Sequence, residues 1–301
     1  MRLLTRPDFD GLACAAILKD IEVIDTYKFV HPDELCDGTV EVGAGDVLAN
    51  VPYVSGCGLW FDHHTSGREK LSGMKFDGLA QYIDSAAHVV YNYYKGAGRD
   101  LSKFDGLVAA VDKVDAARLS ADEVANPKDW VLLGFLMDPR TGLGRCRDYS
   151  VSGRSLMDTL VGACGMMGIA EILAIPGVAE RVDLYHRQNV LFVDMLKNNT
   201  VTDRNVIVTD LRGVSPVYSG NRFLLYCLFP DQNVSVWAAD GKDGGSCVFT
   251  AGHSIFNRTN TKDIGAVMLG YGGEGRRHAG TCKAPREEAD RVLSELREKL
   301  Q

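Results

Sequence analysis

The segment GLWFDHH, residues 58–64, places a short apolar run directly before an aspartate and two adjacent histidines, Asp62, His63 and His64. Such a run is typical of a buried strand. Polar side chains beside a buried strand are costly to bury unless their charges and hydrogen bonds are compensated. The segment therefore predicts a strand whose carboxyl end presents three polar side chains for a functional purpose.

The first 125 residues repeat this pattern, with helical stretches between some of the apolar runs. The predicted strands lie in residues 2–5, 21–30, 37–52 and 57–64, and the predicted helices in residues 11–20 and 84–95. This alternation favours an α/β fold with a doubly wound parallel sheet. In such sheets, ligand-binding groups collect at the carboxyl ends of the strands.

The later part of the chain has a different character. It is mainly helical up to about residue 200, and apolar residues at helical spacing in residues 177–199 predict a long helix. Residues 205–254 follow as successive strands, including RFLLYCLF at residues 222–229. We predict an α/β domain with a helical segment at residues 1–180, a linker helix at 181–204, and a smaller α+β domain at 205–301.

The composition narrows the class of partner. The net charge of −7 over 301 residues disfavours a long nucleic-acid duplex, but it allows a short anionic substrate held by a metal and a few arginines. The eight cysteines contain no CxxC pair, which indicates reduced thiols. No stretch approaches the roughly 20 apolar residues of a membrane span, and the first residues do not resemble a secretory signal. We expect a cytoplasmic protein without a membrane partner.

Two acidic segments precede the histidine pair. Asp8 and Asp10 flank a phenylalanine in RPDFDG, directly after the first predicted strand, so both carboxylates could face one pocket. An ordinary turn is the alternative, because aspartate and glycine are frequent in turns. Asp46 stands in the glycine-flanked segment GAGDVLANVP, where a ligand and a helix cap are both compatible with the sequence.

Asp62, His63 and His64 offer nitrogen and hard oxygen donors, a mixture that suits Mn²⁺, Zn²⁺ or Fe²⁺. Two ordinary surface histidines are the alternative. Asp112 and Asp115, in LVAAVDKVDAARL, are three residues apart and share one face of a predicted helix. Either of them could complete a metal site, and the sequence leaves this choice open.

The order of these motifs resembles that of the DHH phosphoesterase superfamily. Its four motifs correspond here to RPDFDG, GAGD, FDHH and AVDKVD, in that order. YGGEGRRHAGTC, residues 271–282, is similar to the glycine-rich GGGH…AG signature of the DHH-associated substrate-binding domain. The matches span nearly the whole chain. The superfamily includes RecJ-type exonucleases, nano-RNA and cyclic dinucleotide phosphodiesterases, exopolyphosphatases and manganese pyrophosphatases.

This resemblance implies a centre with one or two divalent ions, commonly Mn²⁺, with Mg²⁺ or another transition metal as the alternative. It implies the following ligands: Asp10, Asp46, His63 and either Asp112 or Asp115 for one ion, and Asp8 with a bridging Asp46 for the other. Paired cations roughly 3.5–4 Å apart lower the pKa of an attacking water and neutralise phosphoryl oxygens. Relatives also carry a ligand histidine at the position of Leu4, so one ligand is missing here.

The resemblance also implies catalytic and substrate-binding residues. His64 would lie near the scissile phosphate, and Asp62 would orient a neighbouring group. The implied substrate-binding residues are Gly272, Gly273, Gly275, Arg276, His278 and Arg258. Arg276 stands where relatives have the histidine of the GGGH motif, which removes a proton donor but leaves a side chain able to bind phosphate.

The function that follows from the resemblance is metal-dependent hydrolysis of a phosphodiester or phosphoanhydride bond, in a cleft between two domains. The expected substrate is a small phosphorylated molecule such as a short oligonucleotide, a cyclic dinucleotide or polyphosphate, and a homodimer is left open. The alternative is a degenerate relative that binds nucleotide or polyphosphate without turnover. Leu4 and Arg276 motivate that alternative.

Overall fold

The protein is described by a computed structural model that covers residues 1–64 and 75–301. The chain forms two compact units. The first contains Met1–Leu119 and Pro127–Leu184, and the second contains Ser120–Asn126 and Tyr185–Gln301. The three-part division at residues 180 and 204 stays a prediction.

The sheet of the first unit has five parallel strands in the order β2-β1-β3-β4-β5. The strands are β1 (Arg2–Thr5), β2 (Thr26–Phe29), β3 (Asp46–Ala49), β4 (Leu59–Asp62) and β5 (Gly78–Ala80). The predicted parallel α/β class is therefore confirmed. Because the strands are parallel, the segments that follow β1, β3 and β4 meet at one edge of the sheet.

The first unit also contains most of the helices. They are α1 (Phe9–Asp20), α2 (Pro32–Cys36), α3 (Ala86–Gly96), α4 (Asp105–Asp115), α6 (Asp129–Met137), α7 (Gly153–Met166) and α8 (Ile169–Leu173), with 3₁₀ turns at Ser102–Phe104, Pro139–Thr141 and Leu143–Arg145. The short α5 (Ala121–Ala125) belongs to the second unit, and α9 (Pro176–Asn198) runs from one unit into the other. Among the described residues, no helix combines the length and apolar character needed to cross a bilayer.

The sharp connection between β1 and α1 is fixed by local chemistry. Asp8 caps α1, because its Oδ1 accepts the backbone N–H of Gly11 at 2.9 Å. A Cβ at Gly11 would lie only 2.0 Å from the carbonyl oxygen of Arg6, so only glycine fits this turn. The connection thereby places Asp8 and Asp10 at the carboxyl edge of the sheet.

One face of this sheet packs an apolar cluster that contains Leu4, Leu48 and Trp60, all fully buried. Leu4 and Leu48 are opposite each other in the β1–β3 ladder. At the position where relatives place a ligand histidine, this chain therefore has a core leucine. Burying a leucine side chain contributes about 1.5–3 kcal/mol to folding, so Leu4 serves packing.

The second unit contains a six-stranded mixed sheet in the order β10-β11-β9-β8-β7-β6. Its strands are β6 (Thr200–Asp203), β7 (Val206–Asp210), β8 (Val234–Asp240), β9 (Ser246–His253), β10 (Glu274–Arg276) and β11 (Ala279–Pro285). Its other helices are α10 (Leu224–Leu228), α11 (Ile264–Leu269) and α12 (Ala289–Lys299), with a 3₁₀ turn at Arg286–Glu288.

The predicted strand at residues 222–229 is wrong, because this segment forms the helix α10. Leu224, Leu225 and Tyr226 are consecutive and all buried, so the apolar run forms a helix that is buried at successive positions. Asn221 favours the turn, since its Oδ1 accepts the backbone N–H of Phe223 at 3.0 Å. Short apolar runs do not distinguish a buried strand from a buried helix.

Candidate metal centre

Asp10 is the most deeply buried acid of the centre, with 2% of its surface exposed. Its two carboxylate oxygens accept the backbone N–H groups of Ala86 and Ala87, at 2.9 and 2.7 Å. These residues begin α3, and the positive end of a helix stabilises an anion. The carboxylate is therefore fixed in place by the backbone of another element.

His63 follows β4 and turns one ring nitrogen toward Asp10. Its Nδ1 lies 3.3 Å from the carbonyl oxygen of Ile83, which favours the proton on Nδ1 and leaves a lone pair on Nε2. That Nε2 is buried and has no hydrogen-bond partner among the described residues. It lies 3.8 Å from Asp10 Oδ2 and 3.5 Å from Asp115 Oδ2. A buried nitrogen facing two carboxylates has the features of a metal ligand.

Asp10, His63 and Asp115 together offer three donor atoms within 4.8 Å of one another. Donors bound to one cation at about 2.1 Å lie about 3.0–3.4 Å apart, so a small inward movement would complete the set. Burial raises the pKa of Asp10 well above its usual range, and the charges of Asp115 and Asp8 raise it further. A divalent cation would offset this repulsion, and the donor set therefore fits the metal that the sequence implies.

Asp112 is engaged elsewhere. Its Oδ1 accepts the hydroxyl of Ser85 at 2.6 Å, and its Oδ2 lies 2.7 Å from His88 Nδ1. Ser85 in turn caps α3, whose first N–H groups hold Asp10. Of the two candidates that the sequence left open, the structure brings Asp115 to the donor group.

Asp8 lies beside the donor group but is occupied by other partners. Its Oδ1 accepts the side-chain N–H of Asn50 at 3.0 Å as well as the α1 cap, and its Oδ2 lies 3.2 Å from Arg6 Nε. Burial raises the pKa of Asp8, and the charge of Asp115 adds to this effect. Asp8 therefore shares the electrostatic field of the centre.

The structure does not bring Asp46 to this group, so the expectation of a bridging Asp46 needs correction. Asp46 is the first residue of β3 and pairs with Arg2, the first residue of β1. Arg2 Nε and Nη2 donate to its two oxygens at 2.7 and 3.0 Å, and the N–H of Gly43 donates at 2.8 Å. Burial opposes ionisation, yet these hydrogen bonds lower the pKa of Asp46 overall. The ion pair lies at the amino edge of the sheet, about 10 Å of strand away from the carboxyl edge.

At the carboxyl end of β3, where we expected a carboxylate, the chain has Asn50. It directly follows β3, is 3% exposed, and reaches Asp8 through its side-chain amide. Its φ of 57° lies in the left-handed region that asparagine tolerates better than most residues. An asparagine without a neighbouring motif gives no sign in the sequence that it contacts Asp8.

The other two residues of the DHH motif form a pair. His64 Nδ1 lies 2.8 Å from Asp62 Oδ1, and Asp62 is buried at the end of β4. The rings of His63 and His64 are 4.1 Å apart between centroids, so His64 stands next to the donor group. Asp62 thus fixes one nitrogen of His64 and leaves Nε2 to face a ligand.

Arg140 is a further cation near the centre. Its Nε donates to Asp138 at 2.7 Å, and its side chain is largely exposed. Desolvation lowers its pKa, but the charges of Asp138, Asp115 and Asp8 raise the pKa overall. Arg140 stands in the 3₁₀ turn that follows α6, and only the folded chain brings its charge close enough to act on the acids of the centre.

The glycine-rich segment of the second unit forms the β10–β11 hairpin. Gly272 has a φ of 70°, and a Cβ at Gly273 or Gly275 would lie 2.2 or 2.6 Å from a backbone oxygen of β11. Packing therefore requires glycine at positions 273 and 275, and the positive φ favours glycine at position 272. Arg276 ends β10 with an exposed side chain.

His278 lies in the turn of this hairpin and faces His253. Their Nδ1 atoms are 3.1 Å apart, and the backbone N–H of His253 donates to the carbonyl of His278 at 2.9 Å. Desolvation and the neighbouring His278 lower the pKa of His253. Arg258 is exposed, with its Nε donating to the carbonyl of Ile255, and Ser254 accepts two backbone N–H groups of its own turn. The substrate-binding roles of these second-unit residues stay predictions.

The fold and the donor group together define a phosphoester hydrolase of the DHH phosphoesterase superfamily, and the chain belongs to that superfamily. It is similar to the pGpG-specific phosphodiesterase PggH from Vibrio cholerae, with 39% identity, a TM-score of 0.89 and 99% coverage of each chain. RecJ of Thermus thermophilus in complex with Mn²⁺ shares the fold at 13% identity and a TM-score of 0.51, over 99% of this chain and 51% of RecJ. No protein-family model matches the chain, and a search among curated proteins finds no match.

We predict that Asp115→Ala weakens Mn²⁺ binding about 100-fold or more, because it removes a donor beside His63. Asp46→Asn should retain the ion, since its partners lie at the other edge of the sheet, and should lower the free energy of unfolding by about 1 kcal/mol. Asp112→Asn should also bind the ion. Titration calorimetry with Mn²⁺ measures all three affinities. Loss of the ion from folded Asp46→Asn would contradict this placement.

Proposed function

We propose that this protein is a metal-dependent phosphodiesterase that hydrolyses a short linear dinucleotide of the pGpG type. The observation that carries the proposal is the likeness to a pGpG-specific phosphodiesterase along 99% of both chains, combined with the Asp10, His63 and Asp115 donor group. A short anionic substrate also suits the net charge of −7, which disfavours a long duplex.

Asp10, His63 and Asp115 would hold a divalent cation, for which we propose Mn²⁺ because the set mixes carboxylate oxygens with an imidazole nitrogen. When bound, the cation supplies charge for the phosphoryl oxygens and lowers the pKa of water. The α3 N–H groups keep Asp10 in its ligand geometry. Arg140 adds a cation that can bind a phosphate oxygen.

His64 would transfer a proton at the scissile phosphate. Its Nδ1 is engaged by Asp62, so the proton to be moved belongs to Nε2. Asp62 is buried at 4% exposure and therefore holds the imidazole in one orientation. The three residues of the DHH triplet would therefore have separate roles. Asp62 orients His64, His63 binds the metal, and His64 transfers the proton.

We further propose that the centre binds one ion tightly. Leu4 is in the core, and Asn50 offers a neutral amide where a bridging aspartate was expected. A second divalent ion close to the first needs anionic ligands to offset the repulsion between the ions. A cytoplasmic location and a homodimer stay predictions.

With Mn²⁺ added, the protein should hydrolyse pGpG to two molecules of GMP, faster than it hydrolyses a cyclic dinucleotide or polyphosphate. Asp10→Asn should remove this activity, because the ligand set loses a charge. Chromatography of the products measures each rate, and Asp46→Asn is the matched acidic control. A metal-loaded protein that binds pGpG without hydrolysing it would instead be a non-catalytic binder, which contradicts the proposal.

His64→Ala should lower kcat for pGpG by about 10²–10³-fold while Mn²⁺ binding is retained, because only proton transfer is lost. Asp62→Asn should give a smaller loss, about tenfold or more, since the imidazole loses its orienting partner. Steady-state kinetics together with metal analysis measures both effects. If His64→Ala loses the ion as His63→Ala does, the assignment of separate tasks is wrong.

The wild-type protein should contain about one tightly bound Mn²⁺ per chain, and Asn50→Asp should raise this to about two, because it restores an anionic ligand. Asn50→Ala is the matched control, since it removes the amide without adding charge. Equilibrium dialysis with elemental analysis gives the stoichiometry. Two tight ions in the wild-type protein would refute the one-ion centre.

A further inference from the structure

The first unit contains a cavity of about 740 Å³ beside the edge strand β2. Its wall includes residues of β2, the segment after α6, and the first turns of α7. The volume lies within the range of about 300–1,000 Å³ that is usual for small-molecule sites. None of the residues assigned to metal binding lines this cavity.

A buried cation, Arg181, forms part of the cavity wall. Arg181 is 5% exposed, and its Nη1 and Nη2 donate to the carbonyls of Gly177 and Val151 at 2.7 and 2.8 Å. No carboxylate lies within ion-pair distance of it in the described ranges 1–64 and 75–301. A guanidinium has five N–H donors, so three are left. A buried charge with spare donors favours an anionic ligand.

Two more arginines line the same cavity. Arg147 and Arg154 are exposed, and the described part of the chain gives neither of them an ion-pair partner. Arg154 lies in the first turn of the 14-residue helix α7, whose positive end also favours an anion. With Lys28, the three guanidiniums outnumber the carboxylates of the same lining, Glu34, Asp138 and Asp158, so the wall retains cations that can bind a phosphate.

Aromatic side chains supply the other part of the wall. Tyr27 and Phe29 are two residues apart on β2, with ring centroids 5.7 Å apart, and both line the cavity. Tyr149 lies under Arg181, whose Cζ is 3.9 Å from the ring centroid. Aromatic rings stack on nucleobases with about 1–3 kcal/mol per base. A wall that joins aromatic rings to arginines suits a nucleotide better than a bare phosphate.

The cavity begins next to the metal centre. Pro7 lines it and directly precedes Asp8. Asp138 also lines it and forms an ion pair with Arg140, whose pKa is raised by the charges of Asp138, Asp115 and Asp8. The wall of the cavity is therefore joined to the acids of the centre through Pro7, the neighbour of Asp8 in the chain.

We infer that this cavity receives the terminal nucleoside phosphate of the substrate, with the phosphate among Arg147, Arg154 and Arg181 and the base against the aromatic rings. This inference rests on the proposed function, because it names the part of a dinucleotide that lies away from the scissile bond. The cavity thereby recognises a phosphorylated end and determines the preference for pGpG over GpG.

The test uses the double variant Arg147→Ala/Arg154→Ala, because both side chains are exposed and their removal spares the fold. Wild-type KM for pGpG should be about tenfold lower than for GpG, and the double variant should raise KM about tenfold for pGpG only. Arg145→Ala is the matched control, since Arg145 is exposed in the same segment but does not line the cavity. Equal KM values for wild type and double variant would overturn the inference.

A second measurement does not depend on turnover. GMP should bind the metal-free wild-type protein in equilibrium dialysis, and the double variant should bind it about tenfold more weakly. If pGpG is not hydrolysed but GMP binding shows this difference, the cavity assignment stands and the proposed function fails. If GMP does not bind, or binds both proteins equally, the cavity assignment is overturned.

Discussion

The metal centre depends on a buried carboxylate, Asp10, that stays at the carboxyl edge of the sheet despite the cost of burying charge. Two backbone N–H groups at the start of α3 donate to the side chain, which offsets part of this cost and fixes both oxygens. The nearby acids Asp8 and Asp115 act in the opposite direction, because their charges raise the pKa of Asp10. Such an arrangement is stable only if a cation neutralises the group or a proton does. The orphan Nε2 of His63 makes the cation the better match, since it offers a lone pair rather than a donor.

Asp112 contributes indirectly to the hydrogen bonds that hold Asp10. Its carboxylate holds the hydroxyl of Ser85 and the ring of His88, and Ser85 accepts the N–H of His88 to begin α3. The position of the two N–H groups that bind Asp10 therefore depends on this cap. The two aspartates of the fourth motif, three residues apart on α4, have different tasks: Asp115 faces the donor group, and Asp112 holds the helix that orients Asp10. Sequence spacing places both on one face of a helix but does not separate these tasks.

The sequence predicts those parts of the centre that follow a clear apolar run. DFD after β1 and DHH after β4 lie at the carboxyl edge as expected, because the runs mark where each strand ends. The expectation for Asp46 needed correction because GAGDVLANVP predicts a strand but does not show at which end of the strand the acid stands. The four residues of β3 separate the amino edge of the sheet from the carboxyl edge. Asn50 and Arg140 carried no signal of their own. The role of Asn50 follows from its hydrogen bond to Asp8, and that of Arg140 from the charges around it, and both arise only in the folded chain. Residues 222–229 were predicted wrongly for another reason, because a short apolar run does not distinguish a buried helix from a buried strand.

The proposed substrate, a short nucleotide with one phosphorylated end, makes a demand on the charges of the first unit. The two positive charges of one divalent ion would already be offset by its ligands Asp10 and Asp115. A dinucleotide with a terminal phosphate would bring roughly three negative charges near neutral pH, one on the diester and up to two on the terminus, so it needs further cations. Asp138 of the cavity wall forms an ion pair with Arg140, and Arg181 is buried in the same wall without a carboxylate partner among the described residues. Under the proposed function, these cations would offset part of the charge of the substrate. Polyphosphate has no base that could stack on Tyr27 and Phe29, so a wall that binds a nucleotide end as we infer would discriminate against polyphosphate.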